Sequence, residues 1–240
     1  MIHTSYFLLE EVKNYAEKLR TNPFFAKRVK KSILEARKVL NSEGIGKNIP
    51  VELNRFLRNV NAKLCEFDFS QLRHLSYHYS AGITFTTTNL SDVVPKEMYD
   101  VFIRKYGNFN YIILIDRNLC EKRKRFVLAH ELGHIYLNHF GIRNKFVRFR
   151  EYHRDLIFKG VYSESHLEDL KKVEKKLVAG QEVEANAFAG ELLVPSAVLK
   201  DTIFNQNTRN IEDLAEIFNV SLSVVYIQSV LNGIAEYLNI

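Results

Sequence analysis

The chain has 240 residues but only two cysteines, Cys65 and Cys120. Two cysteines that lie so far apart in the sequence argue against a disulfide framework or a thiolate metal site, and we expect both to be reduced thiols. The sequence also lacks a run of about 18 apolar residues, the length that a membrane-spanning helix requires. Its first residues lack the basic end, the apolar stretch and the cleavage site of a secretion signal. These absences predict a soluble, cytoplasmic protein that has no membrane partner.

Basic residues are missing from the C-terminal part of the chain. Residues 210–240 contain four acidic residues and no Lys or Arg. By contrast, residues 1–48 hold ten Lys/Arg and five Glu, a net charge of +5, and residues 119–150 hold eight Lys/Arg and two Glu, a net charge of +6. An anionic partner would therefore meet these two basic segments, although such segments usually form solvated faces.

Hydrophobic residues make up 46% of the chain. They recur at regular spacings that predict helices and strands. Two amphipathic helices are predicted within residues 1–48, and a third over residues 50–62, with Pro50 in its first turn. Segments rich in β-branched and aromatic residues predict strands at 62–69, 82–88 and 111–116, with a helix at 95–107. A small sheet therefore precedes the segment FVLAHELGHIYL, residues 126–137, which reads as a helix.

The rest of the chain is predicted to be helical. Ser165 and Glu168 form a capping box that opens a charged helix ending near Leu177, and Gly180 separates it from the next. Further helices are predicted at 181–193, 196–204 and 211–218, and a last one from the turn at 219–221 to about Leu238.

Two histidines in the segment 126–137 have the spacing of metal ligands. His130 and His134 are four residues apart, so on a helix their imidazoles can point at the same ion. Glu131 lies about 100° around the helix, where its carboxylate could take a proton from metal-bound water without being a ligand. Apolar residues flank all three, so they would be buried and need partners. A metal ion supplies that partner, and the alternative is two histidines held by ordinary hydrogen bonds.

A catalytic zinc ion has three protein ligands and one open position. In the metzincin pattern the third ligand is a histidine six residues beyond His134, with a glycine three residues beyond. This chain has Phe140 and Leu137 there, which excludes that subclass. His139 lies five residues beyond His134, and we interpret it as a structural residue that points off the ligand face.

A glutamate on a second helix is the other common third ligand, and the segment GQEVEANAFAGELLVP offers Glu182 and Glu184. Glu182 and Asn186 are four residues apart on one face, so one could bind the ion while the other hydrogen-bonds the second nitrogen of a ligand histidine. Glu184 lies across the helix, where we expect a basic residue or solvent. We favour Glu182 as the ligand and keep Glu184 as the alternative.

Three segments occur in an order that resembles the ImmA/IrrE-type metallopeptidases, bacterial and phage-borne relatives of the thermolysin-like gluzincins. They are RFVLAHELGHIYLNH, EVEANAFAGELLVP and LAEIFNVSLSVVYIQSVL. The resemblance spans about residues 49–235. It implies that His130, His134 and Glu182 bind Zn²⁺ and that Glu131 is the general base.

The implied fold is α+β, a mostly helical zincin-like metallopeptidase with a small mixed β-sheet packed on the HExxH helix. We predict an N-terminal helical extension (1–48), a metallopeptidase core (49–205) and a C-terminal helix-turn-helix-like subdomain (206–240). The extension and the basic insertion at 141–180 match no feature of the family.

The resemblance implies a zinc-dependent endopeptidase of narrow specificity that cleaves a regulatory protein, a helix-turn-helix transcriptional repressor. Zinc would lower the pKa of its bound water to about 7 and Glu131 would accept the proton. Such enzymes add an oxyanion donor, and the insertion offers candidates that we leave unassigned: Tyr152, His153, Tyr162 and His166.

Two other functions remain open. The first is a non-hydrolytic anti-repressor that uses the same fold to bind its partner, although a pure binder has no need of Glu131. The second is a DNA-binding regulator, because residues 214–231 look like a helix-turn-helix. Residues 210–240 contain no Lys or Arg to meet phosphates, so we expect no specific nucleic-acid binding.

Overall fold

A computed structural model describes residues 2–45, 48–69, 81–87, 96–139 and 172–239. Over these ranges the chain is mostly helical with one three-stranded mixed sheet, which confirms the predicted α+β class. The chain divides into two compact units, one formed by Met1–Val51 with Arg154–Ile240 and the other by Glu52–His153. The three-part division into 1–48, 49–205 and 206–240 stays a prediction.

The unit Glu52–His153 contains the predicted sheet and the histidine helix. Its elements are α3 (Asn54–Asn59), β1 (Ala62–Phe67), β2 (Gly82–Thr86), α4 (Lys96–Tyr106), β3 (Tyr111–Asp116) and α5 (Glu121–Tyr136). The strand order is β1-β3-β2, with β1 parallel and β2 antiparallel to the central strand. The strands, the helix between β2 and β3, and the histidine helix are therefore confirmed.

The third helix begins later than predicted, at Asn54 and not at Pro50. Val51 and Leu53 are both buried although they are two residues apart, a spacing that suits an extended segment and not one face of a helix. The apolar residues at 51 and 53 were therefore wrongly included in the helical pattern.

The two faces of the sheet carry different residues because strand side chains alternate. On one face, Ile83, Ile112 and Leu114 form a buried cluster, against which Tyr99 and Ile103 of α4 pack. Gly82 and Thr84 of β2 point to the other face, where α5 contacts both β2 and β3. The sheet packs on the histidine helix, as predicted.

The other unit is helical. Its elements are α1 (Ile2–Thr21), α2 (Pro23–Ser42), α6 (Lys172–Leu193), α7 (Ser196–Phe204), α8 (Ile211–Phe218), α9 (Leu222–Leu231) and a 3₁₀ helix (Ala235–Tyr237). Asn22 caps α2 by accepting a hydrogen bond from the Phe24 amide at 3.0 Å, and Pro23 follows at the first helical position. These two residues separate the two N-terminal helices, both of which were predicted.

One core joins the N-terminal helices to α6. Its buried members come from α1, α2 and α6: Tyr15, Leu19, Val29, Ile33, Val183 and Ala187. The first four are among the residues whose helical spacing indicated two amphipathic helices. These four residues of α1 and α2 therefore pack on α6 by the predicted apolar faces.

Gly180 does not separate two helices, because α6 runs without a break from Lys172 to Leu193. A Cβ atom at Gly180 would lie 2.8 Å from the guanidinium carbon of Arg28. The Arg28 Nη1 atom lies 2.9 Å from Glu184 Oε1, one turn further along α6. The glycine thus makes room for a side chain of α2, and its prediction as a helix end was wrong. The capping box at Ser165 and Glu168 lies outside the described residues.

The last helix ends at Leu231, and not near Leu238 as predicted. Gly233 adopts a φ of 67°, and the amides of Gly233 and Ile234 donate to the carbonyls of Val230 and Ser229 at 3.1 and 2.9 Å. This pattern is a Schellman motif, which stops a helix by satisfying its last carbonyls.

The turn between α8 and α9 is formed at Asn219, which has a φ of 51°. This confirms the turn predicted at residues 219–221, and the two helices are bent by 102° at the break. By length and composition no single helix in the described ranges can cross a membrane; α8 and α9 pass that test only when they are counted together.

Candidate metal centre

His130 and His134 meet on the buried side of α5. Neither has any exposed surface, and their Nε2 atoms are 3.0 Å apart. Two nitrogens that bind one tetrahedral zinc ion at 2.0–2.1 Å lie about 3.3 Å from each other. The pair therefore has nearly the separation that a shared ion requires, and the four-residue spacing predicted it.

The environment of His134 keeps its imidazole neutral. Burial holds its pKa well below the usual range, and the neighbouring His130 and His139 lower the pKa further. Metal ions bind the neutral form of histidine, so a site that disfavours protonation favours metal binding.

Two residues of β2 position the carboxylate of Glu131. The Thr84 hydroxyl donates a short hydrogen bond to Oε2 of Glu131, and both residues are buried. Gly82 faces the other oxygen: a Cβ atom there would lie 2.9 Å from Oε1 and 2.5 Å from Cγ1 of Val127. Sequence analysis missed both residues, although the two-residue alternation of GITFT places them on one face of the strand.

The chain turns sharply after α5 and brings His139 back to His134. The Nδ1 atoms of the two rings are 2.8 Å apart, and His139 is 5% exposed. Its assignment off the ligand face assumed that the helix continues to residue 139, whereas the helix ends at Tyr136. His139 thus touches the nitrogen of His134 that is turned away from His130.

Glu182 and Asn186 lie one turn apart on α6, both partly buried, near Tyr15 of α1. Burial raises the pKa of Tyr15 to about 12; the Asn186 side chain acts against this rise and the negative charge of Glu182 adds to it. Glu184 forms an ion pair with Arg28 at 2.9 Å. The basic partner expected for Glu184 is therefore present.

The residues that could supply metal ligands are His130 and His134 on α5 and Glu182 on α6. Two imidazole nitrogens and one carboxylate oxygen are a donor set compatible with zinc. The candidate oxyanion donors Tyr152, His153, Tyr162 and His166 lie outside the described residues.

Comparison with known proteins supports the resemblance to the ImmA/IrrE family for part of the chain. Residues 81–157 match the family model Peptidase_M78, described as the IrrE N-terminal-like domain. The matched range includes β2, β3 and α5, and thus Thr84, His130, Glu131 and His134. No curated protein matches the chain. The predicted resemblance is therefore confirmed over residues 81–157, which are similar to an IrrE N-terminal-like domain of the metallopeptidase type.

Proposed function

We propose that the protein is a cytoplasmic, zinc-dependent endopeptidase of narrow specificity. His130, His134 and Glu182 bind the ion, and Glu131 is the general base. The observation that carries this proposal is the buried pair of histidines whose Nε2 atoms are 3.0 Å apart, with a buried carboxylate on the same helix.

When bound, zinc supplies Lewis-acid polarisation of the substrate carbonyl and lowers the pKa of water to about 7. With the ion held by these residues, the carboxylate of Glu131 would accept the proton of the attacking water and pass it to the leaving amine. Thr84 holds Oε2 of Glu131 by its hydrogen bond, and Gly82 leaves room at Oε1, so we assign the proton transfer to Oε1.

The choice of Glu182 over Glu184 is supported by the ion pair on α6. Arg28 binds Glu184 at 2.9 Å, and the two side chains are only 27% and 13% exposed. Separating a partly buried carboxylate from its cation is costly, so Glu184 is the less suitable ligand. Glu182 shares its face of α6 with Asn186, which we propose as a hydrogen-bond partner of a ligand histidine.

The proposed substrate is a regulatory protein, a helix-turn-helix transcriptional repressor. We propose no specific nucleic-acid contact through α8 and α9, because Glu212, Asp213 and Glu216 are exposed on α8 and would repel phosphates. The positioned carboxylate of Glu131 favours hydrolysis over a purely binding role, since binding alone does not require a base.

The test is incubation of the zinc-loaded protein with purified candidate repressors of the helix-turn-helix class. We expect the wild type to cleave at one site and Glu131→Gln to bind zinc without cleaving. Glu121→Gln is the matched control, because Glu121 lies on the same helix with its side chain 86% exposed. Equal inactivation of the repressor by wild type and Glu131→Gln, without cleavage, would instead establish the non-hydrolytic function.

A further inference from the structure

The end of α5 brings a third imidazole against the candidate metal ligands. His139 is almost fully buried, and its ring centroid lies 4.9 Å from that of His134. The Nδ1 atoms of these two rings are 2.8 Å apart, whereas the Nε2 atom of His134 faces His130 at 3.0 Å. His134 is therefore held from both sides by other imidazoles.

The backbone at the end of the helix produces this contact. Asn138 has a φ of 54° and its amide donates to the Ile135 carbonyl at 3.0 Å, while the His139 amide donates to the His134 carbonyl at 3.0 Å. These two bonds define a Schellman motif. In this motif the residue after the left-handed position, here His139, packs against a residue of the last helical turn, here His134. In most such motifs the two facing side chains are apolar, but here both are histidines.

The contact has a chemical consequence for His134. A neutral imidazole carries one N–H, so at each of the two short contacts one nitrogen donates and the other accepts. If His134 donates from Nδ1 to His139, its Nε2 carries a lone pair on the side of His130. In the opposite arrangement the proton occupies Nε2 and blocks metal binding there.

We propose that His139 is a positioning residue: its Nδ1 accepts a hydrogen bond from Nδ1–H of His134 and holds His134 in the tautomer whose Nε2 binds metal. This tautomer is set in the metal-free protein and is kept when zinc binds. The inference rests on the proposed zinc site. It makes His139 the hydrogen-bond partner of the second nitrogen of His134, a role that the sequence suggested only for Glu182 or Asn186 on α6.

Three variants test the inference through zinc affinity, measured by competition with a chromophoric chelator. His139→Phe keeps a ring of similar size but has no acceptor, and we expect zinc to bind about 10- to 100-fold more weakly. His139→Gln supplies an amide oxygen and should restore most of the affinity. Asn138→Gly is the matched control, because glycine tolerates the positive φ and leaves His139 in place. Circular dichroism melts check that each variant is folded.

Nitrogen-15 NMR of the histidine rings provides a readout that does not depend on metal. We expect His134 to be protonated at Nδ1 in the metal-free and the zinc-loaded protein, and His139→Phe to lose this preference in the metal-free state. Protonation of His134 at Nε2, or equal zinc affinity of wild type and His139→Phe, would overturn the inference. If the wild type binds no zinc, the proposed function fails, while the tautomer of His134 still decides the role of His139.

Discussion

Thr84→Val is the sharpest single test of how Glu131, the proposed general base, is held. The substitution keeps the shape of the side chain and removes the hydroxyl that donates to Oε2 of Glu131. Thr84 is only 4% exposed and Glu131 is fully buried, so water cannot easily replace the lost donor. The variant therefore leaves a buried carboxylate oxygen without the hydrogen bond that orients it.

The expected loss follows from the kind of hydrogen bond. A hydrogen bond to a charged group contributes about 1.5–3 kcal/mol, and a buried acceptor that loses its donor costs at least as much. The free energy of unfolding of the metal-free protein should fall by that amount. If the same bond orients Glu131 in the transition state, kcat/KM should fall about 10- to 100-fold.

Thr84→Ser is the matched control because it keeps the hydroxyl and removes one methyl group, at a cost of about 0.8 kcal/mol. Urea unfolding at pH 7 measures the stability of both variants, and cleavage of the repressor measures their activity. If Thr84→Val is as stable and as active as Thr84→Ser, the hydroxyl does not hold Glu131 and the proposed role of β2 is wrong.

Two further predictions concern α6 and α1. Glu182→Gln should weaken zinc binding at least about 10-fold. Glu184→Gln should still bind zinc, but its free energy of unfolding should fall by about 1 kcal/mol because Arg28 loses its charged partner. If Glu184→Gln loses zinc and Glu182→Gln keeps it, Glu184 is the ligand. The pKa of Tyr15 is about 12 in the fold against 10.0 ordinarily, so its contribution to the stability of the metal-free protein is complete below pH 10 and is lost as the pH rises to 12. The rise from 10.0 to about 12 corresponds to about 2.7 kcal/mol. Between pH 10 and 12 the free energy of unfolding of the wild type should therefore fall by about 2.7 kcal/mol more than that of Tyr15→Phe, as measured by urea unfolding.

The histidine helix could be predicted because its signal is local. The spacing of His130 and His134 places both rings on one face of any helix, whatever packs against it. Thr84 and Gly82 could not be found in the same way, since their approach to Glu131 depends on how β2 pairs with β3 and how the sheet packs on α5. Alternation assigns them to one face of the strand, but only the tertiary structure shows what that face contacts.

Two glycines, Gly180 and Gly233, have different structural roles that the sequence pattern does not distinguish. Gly233 ends α9 by adopting a positive φ, whereas Gly180 lies within α6 and makes room for Arg28. Both glycines interrupt an apolar pattern in the sequence, so the pattern cannot distinguish a helix end from a close approach. The residue that decides the case of Gly180 lies 152 positions earlier in the chain, on α2.

The N-terminal helices, which lie outside the matched range 81–157, bear directly on the proposed roles of the acids on α6. Arg28 of α2 binds Glu184, and Tyr15 of α1 is buried beside Glu182 and Asn186. The two helices also share a core with α6 through Val183, which lies between the two acids. A chain without α1 and α2 would expose that core and release Glu184 from its cation, so both acids would be available to an ion. The proposed division of roles between Glu182 and Glu184 thus depends on α1 and α2 as much as on the motif that carries the two acids.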